Sequence, residues 1–175
     1  PFADVSNFDA KTVGFINPSF IKGAPIFLEV ARALPQYRFL AVPTWADDPE
    51  VTRAMRAVPN VEILRPIQNR DELYGQFSCL LVPSLWQEAW GLVTIEAMLR
   101  GVPVVAADIG GLKEAKLGVD YLLPVSPIVT YRNFGEPVVP SQEVGPWIST
   151  VERLLSDRVD HRRVSAEGRA ATSRF

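Results

Sequence analysis

The chain predicts an α/β fold, a doubly wound parallel sheet of about six strands with helices on both faces. Three observations carry that prediction. Short apolar runs alternate with amphipathic runs, which implies right-handed crossovers between parallel strands. The short runs are apolar almost throughout, as strands are when helices cover both faces. The 175 residues, 47% of them hydrophobic, suit one domain with a sizeable core.

The elements follow in order. "TVGFI" (Thr12–Ile16) reads as the first strand. "APIFLEVARAL" carries Ile26, Phe27, Val30, Ala31 and Leu34 at helical spacing, and Pro25 suits its first turn. "RFLAV" (Arg38–Val42) is the second strand, and "DPEVTRAMRAV" a helix that Pro59 stops. "NVEIL" is the third strand, "RDELYGQF" a helix, "CLLVP" the fourth strand, "LVTIEAMLRG" a helix and "PVVAA" the fifth strand. "YLLPV" is expected as the sixth. "PWISTVERLLSDR" and "RRVSAEGRAATSRF" read as closing helices. Residues 1–10 read as a linker from a preceding domain, and residues 11–175 as the folded unit. The stretch 124–146 holds five prolines and breaks the rhythm. A long loop of this kind is either functional or a surface insert, and both readings stay open.

Composition excludes several function classes. The net charge of −2, without a basic stripe, argues against a nucleic-acid groove. The short cluster "DHRRV" reads as a solvated helix face, and the sole histidine, His161, as a surface residue within it. Cys79, the only cysteine, lies in an apolar run and reads as core, so no disulfide framework or zinc cluster is expected. No stretch of about 18 apolar residues occurs. The first residues are not a signal peptide either, so the expected location is the cytoplasm.

Ligands of open parallel sheets bind beyond the carboxyl ends of the strands. Four loops qualify: residues 17–23, 43–47, 83–91 and 108–112. The first, "NPSFIKG", has neither the dinucleotide glycine pattern nor a phosphate loop, which disfavours a nicotinamide dehydrogenase or a P-loop hydrolase. It places Lys22 just before a helix start. The third leads through "EAWGLVTIEAM" into a helix beginning near Gly91 or Leu92, whose free amides form an anion site. Gly91 lets a ligand approach the backbone. Glu88 and Glu96 do not bind phosphate. Carboxylates suit sugar hydroxyls, and eight helical residues rise ~12 Å, roughly a diphosphate with a hydroxylated group at each end. One acid would then meet a sugar and the other a ribose. Surface glutamates, a glycosidase pair or a metal site are the other readings. A retaining glycosidase pair needs carboxyls ~5 Å apart. A metal site would need more ligands than Asp108 adds.

"NPSFIKG", "PNVEILRPI" and "LLVPSLWQEAWGLVTIEAMLRGVPVVAADIGGLKEA" together resemble the C-terminal half of family-4 glycosyltransferases of the GT-B fold. The resemblance runs from about Thr12 to about Pro124. Its most specific part is E-x7-E followed by AM-x-x-G-x-P-V-V and GG-x-x-E. It implies one half, Rossmann-like, of a retaining enzyme that takes a nucleotide-diphosphate sugar, UDP- or GDP-linked, without an essential metal or cofactor. It further implies that Glu88 meets donor-sugar hydroxyls and that backbone amides in the run Ala89, Trp90, Gly91, Leu92 and Val93 hold sugar and diphosphate. Glu96 would bind the ribose and Lys22 the diphosphate, making Glu88 and Lys22 the catalytic pair. The segment Arg65 to Ile67 would lie beside the base. The family commonly has an arginine where this chain has Asn17. Losing that cation is expected to cost a charged hydrogen bond, ~1.5–3 kcal/mol, which Arg65 could restore. An acceptor-binding N-terminal domain is the implied partner, without which the chain should bind nucleotide but transfer no sugar. A sugar-nucleotide epimerase or phosphorylase on the same fold, and a non-catalytic binding module, are the rival readings.

Overall fold

The computed structural model describes residues 2–44, 48–132 and 135–173. Six parallel strands form one sheet: β1 (Thr12–Ile16), β2 (Arg38–Val42), β3 (Val61–Ile63), β4 (Cys79–Val82), β5 (Val104–Ala107) and β6 (Leu122–Leu123), in the order 3-2-1-4-5-6. A short 3-10 turn at Phe8–Ala10 and seven α-helices are described: α1 (Ala24–Ala33), α2 (Pro49–Arg56), α3 (Arg70–Tyr74), α4 (Leu92–Leu99), α5 (Leu112–Ala115), α6 (Gly145–Ser156) and α7 (Arg158–Thr172). They cover both faces, so the doubly wound, Rossmann-like sheet expected from the apolar runs is the fold observed.

Every residue of β4 and β5 is buried, which is why those strands show no polar alternation. Phe27 of α1 stacks on Phe15 of β1, centroids 4.7 Å apart, and meets Phe39 of β2 edge-on at 5.5 Å. That geometry adds directional attraction to simple burial. Asp48 and Asn69 cap α2 and α3 by accepting backbone N–H bonds. The cap at Asn69 is followed by one helical turn: α3 stops at Tyr74, short of the predicted "RDELYGQF", because the Gln76 and Phe77 N–H groups bond three residues back, to the Leu73 and Tyr74 carbonyls, and not four. α5 follows the Gly110–Gly111 pair, just past the loop expected at 108–112, in a stretch for which no helix was expected.

Two sequence expectations are corrected. α7 begins at Arg158, four residues before "RRVSAEGRAATSRF", and so takes in His161. His161, Val164, Ser165, Gly168 and Thr172 recur at helical spacing and are buried together, so the histidine is core, not surface. Its Nε2 lies 2.8 Å from the Ser78 carbonyl oxygen, and the Phe8 ring packs edge-on at 5.2 Å. Asp160, in the same cluster, is also buried, held by Arg153, Arg163 and the Tyr121 hydroxyl. "DHRRV" is therefore half inside, because the helix turns Asp160 and His161 inward and leaves Arg162 and Arg163 out. Cys79 is fully buried, and burial pushes its thiol up to about 12, which keeps it inert.

The described part of the N-terminal segment runs along the body. Val5 N–H bonds the Arg100 carbonyl at 3.0 Å, Asn7 Nδ2 the Gly75 carbonyl at 3.1 Å, and Ser78 Oγ the Asn7 carbonyl at 2.7 Å. The proline-rich stretch carries a hairpin-like bridge between Tyr131 and Pro137, and its base is tied by Ile128 N–H to the Leu85 carbonyl at 2.7 Å. Asn133 and Phe134 of that stretch, residues 45–47 of the 43–47 loop, Pro1 and the last two residues of the expected closing helix lie outside the described residues. No helix among the described residues is long and apolar enough to cross a membrane.

Burial, above all, holds the His161 imidazole below its ordinary 6.5; the Ser78 carbonyl opposes this, while Lys11, Arg158 and Arg162 reinforce it. The unfolded chain therefore binds the proton more readily. The contribution to stability is complete above pH 6.5 and is lost as pH falls below it. The melting temperature is expected to drop between about pH 7.5 and about pH 5, and His161→Gln to flatten that drop. Equal pH dependence in both proteins would contradict the assignment.

Candidate functional site

In the order 3-2-1-4-5-6, the crossovers leave β1 and β4 in opposite directions, and the crevice between their carboxyl ends is the place for a ligand. The loop after β1 brings Asn17 and Lys22 there; the loop after β4 brings Ser84 to Gly91. The two loops are stitched by Leu85 N–H to the Ile21 carbonyl at 2.9 Å. Gly23 makes that contact possible: its φ is +88°, and a Cβ there would sit 1.9 Å from the Pro83 carbonyl oxygen. The second of the two loops is backed by the GG-x-x-E segment. Gly111 N–H donates to the Glu88 carbonyl at 2.7 Å, and a Cβ on Gly111 would stand 2.4 Å from the Ala89 carbonyl oxygen. The glycine pair thus has a mechanical role, letting β5's loop press against residues 88–90 and fix where α4 begins.

A cavity of about 500 Å³ opens between these loops. That is the size of a small-molecule site. It is lined by nine of the eleven residues expected from sequence: Asn17, Lys22, Glu88, Ala89, Trp90, Gly91, Leu92, Val93 and Glu96. The other two, Arg65 and Ile67, are not among its lining; Arg65 is exposed and Ile67 half-buried. Thr44, Arg70, Tyr74 and Ser84 line the cavity and were not singled out from sequence. Ser84 was visible four residues before Glu88; Arg70 and Tyr74 were visible only as one face of a helix, four residues apart.

Lys22 Nζ and Glu88 Oε1 are 2.6 Å apart, with side chains 20% and 11% exposed. A pair this shielded is stronger than a surface ion pair. Ser84 Oγ donates to the same oxygen at 2.5 Å. Glu88 is thereby oriented from two sides. Glu96 Oε2 accepts from the Tyr74 hydroxyl at 2.8 Å. Burial first, and then the Glu96 charge, push that phenol far above its ordinary range, so it stays a donor. Arg100, one turn after Glu96, donates to the Glu96 carbonyl and pairs with Asp71 at 2.6 Å, which fastens α4 to α3.

Gly91, φ +83°, precedes α4 and offers no side-chain cap, and no acid stands in the helix's first turn. Its leading amides are left for a ligand or water. Asn17, at φ +60°, is buried, and its Oδ1 has no hydrogen-bond partner. Asparagine tolerates that left-handed backbone, and a buried acceptor without a partner in a cavity wall is an opening for a ligand donor. Trp86 and Trp90 stand half out of the protein beside the crevice, with Lys22 Nζ 5.8 Å from the Trp86 ring centre. No group of three potential metal ligands occurs among the described residues. The uncapped start of α4, Lys22 and two carboxylates therefore share one cavity, and free helix amides suit an anion.

The sequence profile of the family described as Glycosyl transferases group 1 matches residues 10–157. The chain belongs to this family. A D-inositol 3-phosphate glycosyltransferase from Mycobacterium sp. (strain KMS) is 33% identical over 171 residues, 91% of this chain and 35% of that protein. An exopolysaccharide phosphotransferase of Streptomyces coelicolor is 28% identical over 153 residues, 83% of this chain and 15% of that protein. This group 1 glycosyltransferase domain thus spans about a third or less of the length of those relatives. Among solved structures, HepE of Anabaena in complex with UDP-glucose aligns with a TM-score of 0.74 at 21% identity, over 95% of this chain and 44% of that one. Sucrose-phosphate synthase from Thermosynechococcus elongatus aligns with a TM-score of 0.73 at 24% identity, over 96% and 42%. These likenesses carry the fold.

Gly111→Ala is expected to destabilise the domain, since the new Cβ has no space and its neighbour is backbone. Overpacking of that kind costs about 1–3 kcal/mol, or roughly 2–12 °C in melting temperature for a chain this long. Gly118→Ala meets no atom within 4 Å, although its φ of +78° strains any side chain. Thermal unfolding of the two variants checks the close approach: a smaller loss for Gly111→Ala than for Gly118→Ala would contradict it.

Proposed function

We propose that this domain is the donor-binding half of a retaining glycosyltransferase of the family-4, GT-B type, which takes a nucleotide-diphosphate sugar, UDP- or GDP-linked, and passes the sugar to an acceptor. The observation that carries the reading is the joining of four features in one cavity: the uncapped start of α4, Lys22, and the carboxylates Glu88 and Glu96. Helix amides and a lysine suit a diphosphate. Carboxylates suit the hydroxyls of a sugar and a ribose. No donor set for a metal is part of this reading.

In the proposed reaction, the bond from the anomeric carbon to the diphosphate breaks and a new bond to the acceptor oxygen forms on the same face. The diphosphate leaves with its charge. Lys22 and the amides at Gly91 to Val93 stabilise that charge as it develops, which lowers the barrier more than it tightens ground-state binding. Lys22 has to leave Glu88 to do so, and the freed carboxylate then accepts from sugar hydroxyls. Pairing before binding and exchange on binding keep neither charge unmatched. Glu88, held by Ser84 Oγ, orients; no described side chain in the cavity is set up as a nucleophile. Glu96, steadied by the Tyr74 hydroxyl, takes the ribose. The acceptor and the rest of the catalytic surface belong to an N-terminal domain closing over the crevice, in a soluble enzyme working in the cytoplasm. The relatives' greater length supports that two-domain reading.

Calorimetry with UDP, GDP and ADP tests the site. At least one is expected to bind, and flat titrations with all three would overturn the reading. Lys22→Ala is expected to weaken the nucleotide by about ten- to a hundredfold, the value of a charged hydrogen bond. Glu88→Gln separates the roles: it should reduce affinity for the nucleotide sugar more than for the free nucleotide. The 175-residue chain should bind donor yet transfer no sugar to any acceptor; measurable transfer would refute the two-domain assignment.

A further inference from the structure

We infer that Arg70 is the second phosphate-binding cation of the donor cavity and that it grips the diphosphate together with Lys22. The inference rests on the donor-site reading above. Lys22 and Arg70 are the cations that line the cavity among the described residues. Lys22 is already engaged with Glu88 at 2.6 Å. Arg70 lines the same space, and no ion pair or hydrogen bond engages its guanidinium among the described residues. The neighbouring arginine, Arg100, is by contrast bound to Asp71 and to the Glu96 carbonyl.

The position of Arg70 within its own helix points the same way. It is the first residue of α3, beside Asp71 and Glu72. Helix amides favour acids in a first turn, so a cation there gains nothing from the helix itself. What the position does give is direction. Arg70 and Tyr74 lie four residues apart on one face, and both line the cavity. Tyr74 fixes Glu96 through its hydroxyl. Arg70 therefore stands one turn from the group that would hold the ribose, where the diphosphate begins. A guanidinium presents paired N–H donors that match two phosphate oxygens at once, which an ammonium does not.

Charge balance gives the reason for a second cation. A diphosphate brings about two negative charges, and the amides of one helix start offer about half a positive charge. Lys22 alone leaves the ligand under-compensated in a cavity that also holds Glu88 and Glu96. Asn17 in the facing wall is neutral, and its free Oδ1 is an acceptor, suited to a ligand hydroxyl and not to a phosphate. Arg65 lies outside the lining, whereas Arg70, equally exposed, is part of it.

The test is calorimetry on the 175-residue chain with UDP, GDP and ADP, followed through Arg70→Ala, Arg70→Lys and Arg65→Ala at several salt concentrations. Arg70→Ala is expected to weaken the nucleotide that binds by about ten- to a hundredfold. It should also make that affinity less sensitive to salt, because a charge–phosphate contact has been removed. Arg70→Lys should recover part of the loss, and the melting temperature should stay at the wild-type value. Wild-type affinity in Arg70→Ala, or a loss with unchanged salt sensitivity, would overturn the inference and leave the donor-site reading standing. A loss in Arg65→Ala with none in Arg70→Ala would overturn it equally. Flat titrations of the wild-type chain with all three nucleotides would overturn the donor-site reading, and the inference with it.

Discussion

The parallel pairing of β1 with β4 is the constraint from which the rest of the molecule follows. Val13, Gly14 and Phe15 face Cys79, Leu80 and Leu81, and the chain departs from these neighbouring strands toward opposite edges of the sheet. Two loops must then part at the carboxyl ends, and a crevice remains that no crossover fills. Right-handed crossovers make this opening a property of topology, independent of any side chain. What sequence adds is the contents of the two loops. Lys22 arrives on one and Glu88 on the other, and they meet at 2.6 Å only because the strands beneath them are adjacent.

The loops are held by backbone contacts more than by side chains. Leu85 N–H reaches Ile21, Gly111 N–H reaches Glu88, and Ile128 N–H reaches Leu85. Gly23 and Gly111 sit where the approaching carbonyl oxygens leave no room for a Cβ. A site built this way has its amides positioned before any ligand arrives, and preorganised dipoles need no rearrangement when charge develops. The same contacts link the site outward. The proline-rich segment 124–146, whose reading the sequence left open between function and surface insert, is fastened by Ile128 to the loop that carries Glu88. Its base is thus tied to the loop after β4.

Most of the fold could be read in the sequence because its signals are local. Continuous apolar runs at 79–83 and 103–107 mark strands covered on both sides, and those strands are fully buried. The E-x7-E spacing put one acid in the loop before a helix and the other within that helix, and both line the cavity. What escaped depends on contacts between distant segments. His161 looks solvent-facing among Asp160, Arg162 and Arg163, and only the register of α7 against Ser78 and Phe8 shows which way it turns. Arg65 and Arg70 are equally plausible as cations near the third strand. The choice between them turns on where a single helical turn points, and nothing in "RPIQNRDEL" encodes that. The role of the glycine pair was hidden as well: GG-x-x-E marks a family resemblance in sequence, and only the 2.7 Å bond from Gly111 to Glu88 gives it a physical purpose.

Among the described residues that line the cavity, the charges nearly cancel. Lys22 and Arg70 stand against Glu88 and Glu96, so the lining offers a diphosphate little net field to draw it in. Recognition then has to come from arrangement. A neutral mixture of fixed charges favours a ligand whose own groups alternate in the matching order, and it resists one that carries charge alone. Free phosphate would meet carboxylates on either side, whereas a molecule with hydroxyls flanking a diphosphate satisfies each wall in turn. Unlike partners are excluded by leaving buried groups unpaired, which discriminates more sharply than attraction does. The Lys22–Glu88 pair belongs to the same logic. It keeps both charges matched while the cavity is empty, and only a ligand that replaces both halves of the contact opens it without leaving one charge stranded.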